Sequence, residues 1–239
     1  MDMLAFLFFM LCVLLGYIVG SFCSAIVVCR IFALPDPRIE GSKNPGATNV
    51  LRLAGKKYAI IVLFADMLKG FLPVLMVNLL SGSAATVGFT AFAAVLGHMY
   101  PVFFQFKGGK GVATALGAFF GLNIILGSMV VATWLLVANF TRYSSLASIV
   151  SIIFAPFYSL FIFNHVNAFM PLMFISLFIL YKHRHNITRL IDGVEPKIIF
   201  RSKEKTEELP NEPTAGEEIP KPSQPKIITE ESTPPSDKK

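Results

Sequence analysis

Charge is scarce in this chain. Of its 239 residues only 15% are Asp, Glu, Lys or Arg, against a hydrophobic fraction of 54% and a mean hydropathy of +0.63. Soluble domains are about a quarter charged, so the composition excludes an ordinary soluble globule and fits a polytopic membrane protein. Acids are rarest where the apolar runs lie: residues 1–202 hold six acidic side chains against fifteen basic ones. The formal net charge of +6 is therefore not a nucleic-acid signature, because the basic residues stand in the breaks between apolar runs, as positive-inside loops do. Cysteine is nearly absent too. Cys12, Cys23 and Cys29 all fall in the first apolar run, without metal-ligand spacing or a disulfide framework, and read as packing residues. No basic segment precedes that run. Asp2 stands where a signal peptide would carry Lys or Arg, which makes the run a retained span.

The apolar runs set the expected architecture. Spans are expected over 3–29, 58–80 and 86–106, then within 112–139, over 146–163 and over 167–181. Read as one helix, 112–139 would leave the basic run from Lys182-His183-Arg184 outside, against the charge bias. Splitting it at Gly121-Leu122-Asn123, into pieces of about 10 and about 16 residues, restores parity. The expected fold is all-α and polytopic, with about seven transmembrane helices including a short half-helix shielded by its neighbours. Its N-terminus lies outside and its C-terminus in the cytoplasm. Gly16, Gly20 and Ser24 recur every four residues, a ridge that admits a close neighbouring helix. Asn78 to Ala85 reads as an outside loop. Asp66 and Lys69 share a helical face inside a span, where they either neutralise each other or line a polar cavity. The membrane domain covers 1–202, followed over 203–239 by an acidic, proline-rich tail expected to be disordered and cytoplasmic.

Three polar stretches interrupt the apolar runs. The most pronounced is Gly97-His98-Met99-Tyr100-Pro101-Val102-Phe103-Phe104-Gln105-Phe106-Lys107-Gly108-Gly109-Lys110-Gly111-Val112-Ala113-Thr114. Lysines at a helix end serve as membrane anchors and glycines as turn residues. An anchor, however, needs no glycine on both sides of its lysine. Lys107, Gly108, Gly109, Lys110 and Gly111 before a helix at Val112 form an anion cradle, with converging amides and the positive helix end. The spacing is not that of a nucleotide P-loop. A second stretch, Gly41-Ser42-Lys43-Asn44-Pro45-Gly46-Ala47-Thr48-Asn49-Val50-Leu51-Arg52, contains turn chemistry. It also concentrates Ser42, Asn44, Thr48, Asn49 and Arg52, donors suited to a phosphate and a hydroxyl. The third follows the last span: in Lys182-His183-Arg184-His185-Asn186-Ile187-Thr188-Arg189-Leu190, His183, Asn186 and Leu190 share one helical face, with Gly193 as C-cap. His183 and His185 are two apart and face away from each other, so no metal pair is expected.

These three stretches resemble the signature motifs of the PlsY family, the bacterial acyl-phosphate:glycerol-3-phosphate acyltransferases of the inner membrane. The resemblance covers about residues 3–200 and leaves out the tail. It implies acyl transfer from acyl phosphate to the 1-hydroxyl of glycerol 3-phosphate, giving lysophosphatidic acid and phosphate. It also implies interplay with the enzyme that forms the acyl phosphate, a lipid environment, and no cofactor, metal or nucleic acid. Carried over by motif, Ser42 and Arg52 hold phosphate groups, with Asn44, Thr48 and Asn49 shaping their loop. Lys110, helped by Lys107 and the amides of Gly108, Gly109 and Gly111, binds the substrate anions. Ser145 in Arg142-Tyr143-Ser144-Ser145 matches a phosphate-contacting position, while His183 and Asn186 match the third motif's polar pair. The resemblance makes Lys110, His183, Asn186 and Ser42 the candidate catalytic residues.

An acyl phosphate is already activated, so the task is to hold two anions together and aim a hydroxyl at the carbonyl. The His-x-x-x-x-Asp motif of other glycerolipid acyltransferases is absent, Phe103 standing five residues after His98. The proton acceptor is then His183 or a phosphate oxygen of a bound substrate. An organic-phosphate transporter would also join broken helices to a basic site, but it calls for internal repeats and a midplane site, and neither is seen. A non-enzymatic lipid sensor would leave the Gly41 to Arg52 loop unexplained.

Overall fold

The fold is a computed structural model that describes residues 2–81, 83–164 and 166–198. The expected tail over 203–239, and its boundary with the membrane domain, lie outside these residues. Every described element is helical: α1 (Met3–Gly20), α2 (Ser24–Ile31), α3 (Ala47–Ala54), α4 (Lys56–Ser81), α5 (Ala84–Met99), a 3-10 turn (Val102–Phe104), α6 (Val112–Leu122), α7 (Ile124–Thr141), α8 (Ser144–Phe163), α9 (Phe169–Lys182) and α10 (Arg184–Ile191). The protein is an integral membrane bundle. Five stretches are long and apolar enough to cross a bilayer, and α6 and α9 are shorter apolar helices. Much of the outer surface is bare hydrocarbon, from Leu4 and Leu7 on α1 to Phe140 and Phe161 on α7 and α8, as lipid contact requires.

Glycine sets the two tightest crossings. A Cβ on Gly20 would lie 2.1 Å from the Ala94 carbonyl oxygen of α5, and one on Gly117 would lie 1.9 Å from the Met67 carbonyl oxygen of α4. No larger residue permits these backbones to approach so closely. Gly16 faces α5 as well, but the ridge stops there. The first apolar run is not one helix, for it breaks at Ser21-Phe22-Cys23, and Ser24 opens α2.

The third run also ends early. α5 stops at Met99, because Pro101 cannot donate the amide that would continue it, and the chain turns through Val102–Phe104 instead of reaching 106 in a helix. At the other end of the bundle Asn78 belongs to the last turn of α4 rather than to a loop.

The split at Asn123 stands. α6 has 11 residues, a length of about 16 Å at 1.5 Å per residue, well short of the bilayer core of about 30 Å. Its terminal carbonyls still need donors. Asn78 Nδ2 supplies them, donating to the Gly121 oxygen at 3.1 Å and to the Leu122 oxygen at 2.9 Å. Asn123 Oδ1 then accepts from the Ile125 and Leu126 amides and starts α7. A similar repair occurs in α8. Pro156 leaves the Ile152 carbonyl without its helical donor, and Ser176 Oγ of α9 donates to it at 2.8 Å.

Candidate active site

The three polar stretches converge at one end of the bundle. α6 opens from Gly111, whose φ of +90° places it in the left-handed region that favours glycine. The first amides of α6 have no partner within the helix. Lys110 stands one residue before that glycine, and its Nζ donates to Asn186 Oδ1 on α10. Asn186 Nδ2 in turn donates to Glu195 Oε1 at 2.7 Å, and Arg189 Nε donates to Glu195 Oε2 at 2.7 Å. A four-residue chain thus joins the Gly97–Thr114 stretch to the third.

Glu195 reaches that position through a helix stop. Gly193, at φ +72°, ends α10: its amide bonds to the Leu190 oxygen, and the Val194 amide bonds to the Arg189 oxygen. This reversal turns the chain back over the site. The Ile198 amide donates to the Arg142 oxygen at 2.7 Å, pinning the strap to the α7–α8 connection. Arg142 therefore lies at the same end as Lys110, as the split at Asn123 requires. Ser145, in the first turn of α8, is buried beside Glu195, and its Oγ lacks a well-formed hydrogen bond.

Burial raises the Glu195 carboxyl, but the Ser145 hydroxyl, the Asn186 amide and Arg189 outweigh it and hold the group below the usual glutamate range. Burial pushes Lys110 down to about 8, with Glu195 opposing and Arg189 and Arg52 adding to the fall. His183 is 2% exposed. Burial, then Lys110, lowers it to about 4, against the opposing pull of its bond to Ile179. It is therefore neutral at pH 7. Its Nδ1 lies 2.8 Å from the Ile179 carbonyl oxygen. That carbonyl can only accept, so Nδ1 carries the proton and Nε2 offers a lone pair.

The Gly41–Arg52 stretch contributes unevenly. Asn49 is buried and its amide is fully engaged: Oδ1 accepts from the Ser42 amide at 2.8 Å, while Nδ2 donates to the Pro37 and Glu40 oxygens. It braces the loop and has no donor left for a ligand. Ser42, Thr48 and Arg52 are exposed, with no side-chain partner among the described residues. Pro45 brings this loop against the cradle, its oxygen 2.8 Å from where a Gly109 Cβ would lie. Asn44 is half-buried in the same turn, whereas Lys107 is exposed and stands outside the hydrogen-bonded chain. Gly108 and Gly109 pack beneath Lys110 against His98.

Glu195 and its partner Arg189 are site residues that the sequence pattern did not single out. Gly193 was the available signal, since a helix stop there returns the following residues to the site.

A membrane-embedded helical bundle that gathers two arginines, a lysine and hydroxyls at one end defines an integral membrane protein with a basic polar site. A glycerol-3-phosphate acyltransferase family model matches residues 10–193. A glycerol-3-phosphate acyltransferase of Legionella pneumophila (strain Lens) is 63% identical over 194 residues, which is 81% of this chain and 70% of that one. One from Vibrio cholerae is 47% identical over 196 residues, covering 82% and 93%. The crystal structure of PlsY, an integral membrane glycerol 3-phosphate acyltransferase, in its glycerol 3-phosphate form superposes with a TM-score of 0.76 at 42% identity, over 80% of this chain and 96% of that one. Its lysophosphatidic acid form gives 0.74 at 41% identity, over 80% and 95%. The chain belongs to the glycerol-3-phosphate acyltransferase family.

Proposed function

We propose that this protein transfers a fatty acyl group from acyl phosphate to the 1-hydroxyl of glycerol 3-phosphate, releasing lysophosphatidic acid and phosphate. Membership of the family supports the acceptor and the product. The observation that carries the rest is the chain Lys110–Asn186–Glu195–Arg189, which holds the ammonium group of the residue preceding the α6 N-cap Gly111 on Asn186. Lys110 and the first amides of α6, fixed before the substrate arrives, hold the phosphate groups together with the exposed Arg52. Ser42 and Thr48 supply further donors, and the buried Ser145 hydroxyl stands beside Glu195 at the same end.

The acceptor hydroxyl attacks the acyl carbonyl carbon. Its C–O bond forms as the carbonyl-to-phosphate C–O bond breaks, and the phosphate leaves as a stable anion. The hydroxyl proton passes to a phosphate oxygen. His183, held near 4, is the weaker acceptor, because a phosphate monoester has its second pKa near 6. The neutral His183 Nε2 is an acceptor only and is left to take a hydrogen bond from the acceptor substrate's other hydroxyl.

The polar end faces the cytoplasm of a bacterial inner membrane, because the basic residues of all the loops there obey the positive-inside rule. Seven spans, with the N-terminus outside, follow. Acyl phosphate then comes from an enzyme working on the cytoplasmic side. The test is phosphate release from palmitoyl phosphate by the purified protein, with and without glycerol 3-phosphate. Release that requires glycerol 3-phosphate and collapses in Lys110→Ala is expected. Absence of release from folded protein would reject acyl phosphate as donor.

A further inference from the structure

Beneath the Gly108-Gly109 turn lies a second polar cluster that the reaction does not use. Asp66, Lys69 and His98 are 2%, 7% and 4% exposed. Lys69 Nζ sits 2.8 Å from Asp66 Oδ1 and donates to the Phe22 oxygen, in the break between α1 and α2, at 2.6 Å. The Nδ1 edge of His98 faces the same Asp66 oxygen at 3.5 Å. Ionised groups sealed in a membrane bundle are costly, and an apolar set of the same volume would pack as well. Packing alone therefore does not account for them.

What the cluster touches does. The other edge of the His98 ring meets Gly109, where a Cβ would lie 2.3 Å from Nε2. The His98 carbonyl accepts the Gly109 amide at 3.2 Å, and a Cβ on Gly108 would lie 2.0 Å from that carbonyl oxygen. Lys110 is the next residue along. We propose that Asp66, Lys69 and His98 form a positioning device for the anion cradle. Asp66 faces the imidazole across 3.5 Å and holds it by electrostatic attraction without a well-formed hydrogen bond, and the imidazole with its carbonyl fixes Gly109. Gly109 sets the direction in which Lys110 leaves the backbone. Lys69 neutralises Asp66 and ties it to the Phe22 carbonyl. This inference rests on the reading of Lys110 as the anion-binding residue.

The experiment is steady-state kinetics with palmitoyl phosphate and glycerol 3-phosphate on wild type, Asp66→Asn, His98→Phe and the paired Asp66→Leu/Lys69→Met. Each is made also in a Lys110→Arg background, with thermal unfolding followed in detergent. The paired variant removes both charges together and is expected to unfold near the wild-type temperature. It should nonetheless raise KM for glycerol 3-phosphate about tenfold or more. His98→Phe, which keeps the ring volume under Gly109, is expected to do the same. In the Lys110→Arg background these changes should add less than about twofold, because the group they aim is already altered. A folded paired variant and a folded His98→Phe with wild-type KM overturn the inference. So does a KM rise that persists undiminished beside Lys110→Arg. If only the single-charge variant Asp66→Asn loses activity, and it does so in step with its folded fraction, the cluster is structural and the inference fails. Wild-type kinetics in Lys110→Ala would instead overturn the underlying reading of the site, a distinguishable result.

Discussion

Two polar clusters stand one above the other at the same end of this bundle, and they are built from similar residue types. The lower one, Asp66, Lys69 and His98, is charge-balanced: its acid pairs with its lysine, which also donates to a backbone carbonyl, while Asp66 Oδ1 and His98 Nδ1 make no well-formed hydrogen bond. The upper one, Lys110, Asn186, Glu195 and Arg189, is open. Its single carboxylate is shared by Asn186 and Arg189, Arg189 is 42% exposed, and Arg52 adds charge from the first loop. Positive charge is left over there and not below. An anion has a reason to enter only where donors exceed acceptors, so surplus, rather than burial or residue type, separates a binding site from a buttress.

That contrast breaks most sharply at Lys110. Lys110→Ala is expected to lower kcat/KM about 10³-fold, the effect of removing a charged donor from a water-poor site, with little change in unfolding temperature. Loss of stability without loss of rate per folded molecule would place Lys110 among the buttresses. Glu195→Gln comes next. It leaves Arg189 without its carboxylate partner and Asn186 with a weaker acceptor, so rate should fall about 10- to 100-fold and the unfolding temperature should fall as well. Measuring both on one preparation separates the two roles that this residue combines.

The open cluster should also report its charge through pH. On the proposed reading Lys110 binds anions only when protonated, and burial brings it to about 8 in the free protein. On that basis kcat/KM should fall about tenfold per pH unit above 8. Bound anion favours the charged form, so the limb in kcat should lie higher. Lys110→Arg should remove the limb, since guanidinium stays protonated. An alkaline limb near 8 that survives in that variant would assign it to another group.

How far the residues alone lead differs between the two levels. The helix start after the glycine-flanked lysines, the convergence of the three stretches and the helix break at Asn123 were legible, because glycine-flanked lysines and charge parity are local signals. Glu195 was not, since it lies 85 positions from Lys110, and an acid in a basic site looks like an exception until the Gly193 turn brings it back. The Asp66–Lys69 pairing was legible as one of two options by its spacing of three, but the third member, His98, is supplied by another helix. The break after Gly20 was missed for a different reason. Phe22 and Cys23 prolong the apolar run without a proline, and only packing against α5 and Lys69 shows the backbone turning. The early stop of α5 had a visible cause in Pro101 that run length concealed.

The smallest expected effect lies at the opposite end of the bundle and tests whether the membrane level tolerates unpaired carbonyls. Asn78 is a buttress like Lys69, spanning two backbone acceptors, but it carries no charge. Asn78→Ala strips both donors from the Gly121 and Leu122 oxygens where α6 ends. Hydrogen bonds between membrane helices average about 0.6 kcal/mol, so the pair is worth about 1 kcal/mol. The unfolding temperature should fall by a few degrees, while kcat and KM stay at wild type, because the α6 N-terminus is anchored separately: a Cβ on Gly70 of α4 would lie 2.1 Å from the Thr114 oxygen, and Lys110 bonds to Asn186. If KM instead rises with Asn78→Ala, then the short helix transmits its outer end to the cradle as a rigid rod. The division between a catalytic end and a structural end would then fail at α6.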